Sequence, residues 1–171
     1  MRSGLLTQRL LALVAVHLTL ILGLFLVRQI VDLPSGFGSS QFSNSAELQA
    51  LSTDRLLELR DGVDQDLTRF IPGYLVVGLA AIAVAVSIRS FQRTRDLVTV
   101  VALLLVLGVL ADVFETILFA RSLDQALTGP TASSLAVQAT RVFFVVKWVA
   151  LVLSYLVLLV LVLRPGPTRG S

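Results

Sequence analysis

The sequence predicts an all-α integral membrane protein, built as an antiparallel bundle of four transmembrane helices. Hydrophobic residues make up 56% of its 171 residues and the mean hydropathy is +0.88, whereas soluble proteins average about 45–50% apolar residues. Four segments approach or exceed the roughly 20 apolar residues that a spanning helix needs. These predicted spans lie at about 9–30, 71–90, 96–120 and 139–163, within a single membrane domain over residues 1–163.

The composition excludes several classes of function. The chain has no cysteine, which rules out disulfides, thiolate chemistry, Fe–S clusters and cysteine zinc sites. Its one histidine, His17, cannot form a bis-histidine haem site within one chain. We therefore predict no metal site and no cofactor. The net charge is +3, but the arginines lie at the ends of apolar segments rather than on one basic face, so we predict no nucleic-acid partner.

The first span follows Arg2 and Arg9 and superficially resembles a secretory signal. The apolar run is too long for one, and no small-residue cleavage site follows it, so we predict an uncleaved span. His17 lies inside this span, where its simplest role is a neutral imidazole bonded to a neighbouring helix.

Between the first two spans, residues 31–70 form a polar segment predicted to lie outside the cytoplasm. It begins with a Gly/Ser-rich loop and continues as a short amphipathic helix, for which Asn44 and Glu47 fit a capping box. We expect a break near Ser52-Thr53. Acids outnumber arginines here, which disfavours binding to anionic lipid and favours packing on the bundle or on a partner. The predicted apolar face contains Leu48, Leu51, Leu56, Leu59, Val63, Leu67 and Phe70.

The second span is predicted to begin at Ile71-Pro72-Gly73, since proline in a first turn sacrifices no helical hydrogen bond. Gly78, Ala81 and Ala85 then recur at helical spacing. Such a stripe of small residues permits another helix to approach closely.

The topology follows from the positions of the arginines. Arg89, Arg93 and Arg95 lie in a short loop, which the positive-inside rule assigns to the cytoplasm. With four spans, both termini are then also cytoplasmic. The tail, residues 164–171, is rich in proline and glycine and is predicted to be disordered. We expect the protein in a cell membrane, either a plasma membrane or an inner membrane.

The last two spans contain the predicted charge cluster: Asp112, Glu115, Arg141 and Lys147, the only lysine. Ionisable groups in a bilayer are costly and usually face a partner or a cavity. Asp112 and Lys147 each lie about 12 Å from the predicted outer end of their span, at ~1.5 Å per residue. We therefore predict a salt bridge between Asp112 and Lys147, and a second between Glu115 and Arg141.

Below Lys147, Ser154 and Tyr155 share its helix face, and Tyr155 lies at the depth of His17. This candidate polar path could carry protons. It could equally be a bundle interior in which each buried polar group has its partner. We favour the structural role, because a neutralising pair needs no ligand to explain it.

These observations predict a non-enzymatic interaction or assembly module that acts through another membrane protein or through copies of itself. The alternative is a proton- or ion-coupled transporter or channel that uses the same charge cluster. A second alternative is an intramembrane enzyme. It is weaker, because no nucleophile–base pair or phosphate-binding glycine loop accompanies the carboxylates, and we predict no catalytic residue.

Overall fold

A computed structural model describes residues 2–31, 33–34, 45–88, 95–129 and 134–163. Within these residues all regular structure is helical and there is no strand, which confirms the all-α prediction. The six α-helices are α1 (Arg2–Ile30), α2 (Ser45–Gln49), α3 (Thr53–Gln65), α4 (Ile71–Ile88), α5 (Arg95–Thr128) and α6 (Ser134–Leu163). The predicted Gly/Ser-rich loop, Asn44, Arg89, Arg93 and the tail lie outside the described residues.

Among the described residues, four helices are long and apolar enough to cross a membrane, as the sequence predicted. They are Leu10–Ile30, Thr53–Ser87, Arg95–Thr128 and Leu135–Leu163. The second is much longer than the predicted span, because α3 and α4 are joined without interruption by a π-helical turn, Asp66–Phe70. In this turn the N–H of Ile71 donates to the carbonyl of Asp66. Pro72 has no N–H to donate, and the widened turn before it accommodates the missing bond.

The predicted break in the polar segment is present. Helix α2 ends at Gln49, and α3 begins at Thr53 with Ser52 as its N-cap. The Ser52 hydroxyl accepts a hydrogen bond of 3.3 Å from the backbone N–H of Arg55, which satisfies one of the free donors of the first turn. The buried side of α2 and α3 packs against α5 and α6, in a cluster of Leu48, Leu56, Leu59, Val63, Phe119, Leu123 and Val137.

A second, larger core joins the four long helices. Helices α5 and α6 share the most extensive contact, and α1 packs chiefly on α4. The small-residue stripe of α4 lies inside this core: Ala81 and Ala85 are fully buried beside Val16 and Val101. A Cβ added at Gly78 would come within 2.8 Å of Leu105 Cδ2. The stripe therefore brings α4 close to α1 and α5 within the protein.

Candidate functional site

Three of the charged side chains that the sequence singled out meet in the interior. Lys147 Nζ, on α6, lies 2.8 Å from Asp112 Oδ1 and 2.7 Å from Glu115 Oε2, both on α5. The carboxylate side chains are about 5% and 6% exposed and that of the lysine is 15% exposed. We call Asp112, Glu115 and Lys147 the ion-pair group.

This arrangement differs from the two separate pairs that the sequence suggested. Asp112 and Glu115 are one helical turn apart and share a face, and an ammonium group has three donors. One lysine can therefore serve both carboxylates. The side chain of Arg141 is exposed, and its predicted pairing with Glu115 stays a prediction.

Further polar side chains surround the ion-pair group. The Tyr74 hydroxyl donates to Asp112 Oδ2 at 2.9 Å, so both oxygens of that carboxylate are bound. The Thr116 hydroxyl donates to Asp66 Oδ2 at 2.7 Å. Tyr74, Asp66 and Thr116 are all buried, and we call them, together with the ion-pair group, the buried polar site.

Sequence reasoning missed Asp66 because its neighbours Asp61 and Asp64 mark the segment as an acidic surface. Its spacing carried the relevant signal. Leu59, Val63 and Asp66 follow at intervals of four and three residues, which places Asp66 on the apolar face of the helix. An acid at such a position is expected to be buried.

The buried polar site has an uneven charge balance. The site holds three carboxylates, those of Asp66, Asp112 and Glu115, and the ammonium group of Lys147 contacts the last two. Like charges brought together in a poorly solvated interior disfavour full ionisation. A proton on one of these carboxylates would reduce the repulsion between them.

A cavity of about 1100 Å³ lies beside this site, between α1, α4, α5 and α6. Its walls are mostly apolar. Tyr74, Asp112 and Lys147 line it at one level, and His17, Ser154 and Tyr155 at another. Lys147 and Tyr155 are eight residues apart on α6, or about 12 Å at ~1.5 Å per residue. We call this space the central cavity.

His17 and Tyr155, from α1 and α6, bind each other at the second level. His17 Nδ1 is 2.8 Å from the carbonyl of Leu13, and Nε2 is 2.6 Å from the Tyr155 hydroxyl. A carbonyl can only accept, so Nδ1 is the donor and Nε2 of the neutral ring accepts from the tyrosine. The Ser154 hydroxyl donates to the carbonyl of Val101 at 3.2 Å. The structure thus joins His17 to Tyr155 and directs Ser154 to the backbone of α5.

Within the described residues, no group of three or more acidic or histidine side chains is arranged to hold a metal ion. Comparisons of the chain with protein-family models, with curated proteins and with solved structures found no match. Function is therefore inferred from the geometry of the buried polar site and the central cavity.

Proposed function

We propose that the chain is a non-enzymatic, proton- or ion-coupled carrier of a cell membrane, with the buried polar site as its coupling element. The observation that carries this proposal is the central cavity, which is lined by both Asp112–Lys147 and His17–Tyr155. Ionisable groups in membrane segments commonly mark ion pathways and proton relays. A ligand-sized space that reaches two such groups is what a carrier needs.

The architecture proposed for this function is an antiparallel bundle with four spans and both termini in the cytoplasm. The contacts of α5 with α6 support it: Val101 meets Ser154, and Asp112 meets Lys147. Residue numbers thus rise along one helix as they fall along the other. In this arrangement α2 and α3 form the amphipathic segment outside the membrane, where they cover one end of α5.

Two surfaces suggested an assembly module from the sequence, and both are occupied within the chain. The apolar side of α3 packs against Phe119 and Leu123, and Ala81 and Ala85 pack against α1 and α5. Neither is left free to receive a partner. The geometry therefore favours the carrier over the assembly module.

Assembly with another membrane protein, or with a second copy, remains the second candidate because of exposed aromatic side chains on α5 and α6. Phe114 and Phe143 stack with their ring centroids 5.5 Å apart, and Phe144 contacts Trp148. Phe114 and Trp148 are both about half exposed, and large aromatic side chains dominate many interfaces. Native mass spectrometry from nanodiscs tests assembly with a second copy: a dimer lost on Phe114→Ala with Trp148→Ala supports it, and a uniform monomer rejects it.

Reconstitution tests the carrier. Liposomes loaded with a pH-sensitive dye receive the purified protein and then an imposed gradient of H⁺, Na⁺ or K⁺. We expect protein-dependent flux that Asp112→Asn or Glu115→Gln abolishes. The matched control is Asp61→Asn, which alters an exposed acid of α3 and should leave the flux unchanged. Flux no higher than in empty liposomes under every gradient rejects the carrier.

A further inference from the structure

Asp66 is a buried acid whose interactions differ from those of Asp112 and Glu115. It is 6% exposed, and its carboxylate accepts a hydrogen bond from the Thr116 hydroxyl. In the part of the chain that the structure describes, Asp112 and Glu115 have an ammonium group within salt-bridge distance and Asp66 has none. A neutral hydroxyl is thus the hydrogen-bond partner of this carboxyl group.

The groups around Asp66 do not favour a charge on it. Asp112 and Glu115, on α5, carry the same sign, and Lys147, on α6, already binds both of them. Tyr74, on α4, donates its hydroxyl to Asp112. Burial and like charges nearby both favour the protonated form of a carboxyl group that has no cation of its own within salt-bridge distance.

The position of Asp66 suits exchange between the surface and the interior. It opens the π-helical turn, and such turns occur frequently at functional sites. Two residues before it and three after it, Asp64 and Arg69 are exposed. Phe70, at the other end of the turn, lines the central cavity. Along the chain, Asp66 therefore lies between exposed polar residues and a residue that lines the cavity.

We infer that Asp66 is a proton-binding site, and that its carboxyl group is where the carrier takes up and releases H⁺. The assignment of a coupling role rests on the proposed function. In the loaded state the proton is on Oδ1, while Oδ2 accepts from Thr116. On release, the O–H bond breaks, the proton passes to water and its electron pair stays on the carboxylate. The Thr116 hydroxyl remains a donor to the charged form.

Infrared spectroscopy of the full chain in nanodiscs tests the site directly, because a protonated carboxyl group has its own C=O stretching band. As the pH is lowered from 8 to 5 we expect such a band to appear in the wild type and not in Asp66→Asn. The matched control, Asp61→Asn, should keep it. A band that survives in Asp66→Asn would place the proton on another group, and a wild type without any band would also overturn the inference.

A second variant covers the case in which Asp66→Asn does not fold. Thr116→Val removes the hydrogen bond to the C=O oxygen, so the band should shift to higher frequency. Carbon-13 labelling of aspartate should shift the wild-type band and thereby exclude Glu115 as its source. A band that moves under neither treatment overturns the assignment.

The liposome flux separates this inference from the proposed function. If the band belongs to Asp66 and no gradient drives flux, the proton site stands and the carrier fails. If flux is present and the band belongs to another residue, the carrier stands and the assignment of Asp66 fails. When both hold, Asp66→Asn should lose the response of flux to a pH gradient.

Discussion

The position of Lys147 between two carboxylates makes the three residues of the ion-pair group unequal. Removing Asp112 leaves Lys147 paired with Glu115, whereas removing Lys147 takes the ammonium group away from both buried carboxylates. Breaking a buried ion pair typically costs about 3–5 kcal/mol, because a charge is left without compensation. Substitution of Lys147 should therefore lower the stability of the protein more than substitution of either acid.

We expect Lys147→Met to lower the free energy of unfolding by about 3–5 kcal/mol, and Asp112→Asn to lower it by less. Asp112→Asn with Lys147→Met should recover only part of the loss, because Glu115 stays charged. Adding Glu115→Gln to this double variant should recover more of the lost free energy of unfolding. Thermal unfolding in detergent measures all four variants, and losses that simply add would show that these residues are not coupled.

Tyr74 and Tyr155 provide a comparison of two tyrosine hydrogen bonds, the first buried and the second half-buried. The hydroxyl of Tyr74 donates to a charged carboxylate, and that of Tyr155 to a neutral imidazole. Bonds to charged groups contribute about 1.5–3 kcal/mol and neutral ones about 0.5–1.5 kcal/mol. Tyr74→Phe should therefore destabilise the protein more than Tyr155→Phe in the same unfolding assay. Equal losses would indicate that Asp112 does not depend on the tyrosine for its charge.

How far the sequence predicts the site depends on what surrounds each residue. Asp112, Glu115 and Lys147 interrupt otherwise apolar runs, so their hydropathy alone marks them as buried. Asp66 lies among other acids, and Tyr74 is ordinary in an apolar helix, so neither contrasts with its neighbours. Which base pairs with which acid also depends on how far each side chain can extend in three dimensions. One lysine therefore binds two acids where the sequence suggested two separate pairs.

At the scale of elements, long apolar runs are the features that the sequence predicts best. Each of the four runs holds enough apolar residues to require a helix, whatever its neighbours are. The second span was predicted to begin at Ile71, where α4 does begin, but the helix continues back to Thr53, whereas a proline such as Pro72 ordinarily marks a first turn. A π-helical turn has no comparable sequence signature, and here it lets the helix continue from Thr53 through the proline.

The π-helical turn suggests a deletion experiment. The buried residues Asp66 and Ile71 are five apart, and deleting the exposed Thr68 would reduce the spacing to four, as in a regular α-helix. The buried faces of α3 and α4 should then keep their relative orientation, so we expect a folded protein, destabilised by about 3 kcal/mol because Pro72 would then lie inside a regular α-helix. Deleting the exposed Val76 from regular α4 should be far more destabilising, because it rotates the following residues by about 100°.

Circular dichroism and thermal unfolding compare the two deletion variants. If deleting Thr68 proves as harmful as deleting Val76, the extra residue has no special place in the helix. If the Thr68 deletion folds, its infrared spectrum shows whether the π-helical turn is needed to hold the carboxyl group of Asp66 against Thr116.

At the scale of the whole molecule, the exposed apolar surface and the internal polar groups both fit a chain surrounded by lipid. Leu10, Leu103 and Val142 are each at least 60% exposed, whereas Asp112 and Glu115 are buried. A polar interior with an apolar exterior is the arrangement expected of a chain surrounded by lipid. It also explains why the central cavity combines apolar walls with a few charged and hydroxyl groups.

The proposed topology can be tested with single cysteines, since the chain contains none. Asp61→Cys on α3 should react with a membrane-impermeant thiol reagent in intact cells, because α3 is proposed to lie outside. Asp96→Cys in the first turn of α5 should react only after permeabilisation. Both positions are exposed, so access to the side chain is equal. Leu103→Cys, exposed but proposed to face lipid, should stay unlabelled in both cases because hydrocarbon disfavours the reactive thiolate. Labelling of Asp96→Cys from outside would reverse the orientation and place the ion-pair group nearer the cytoplasm.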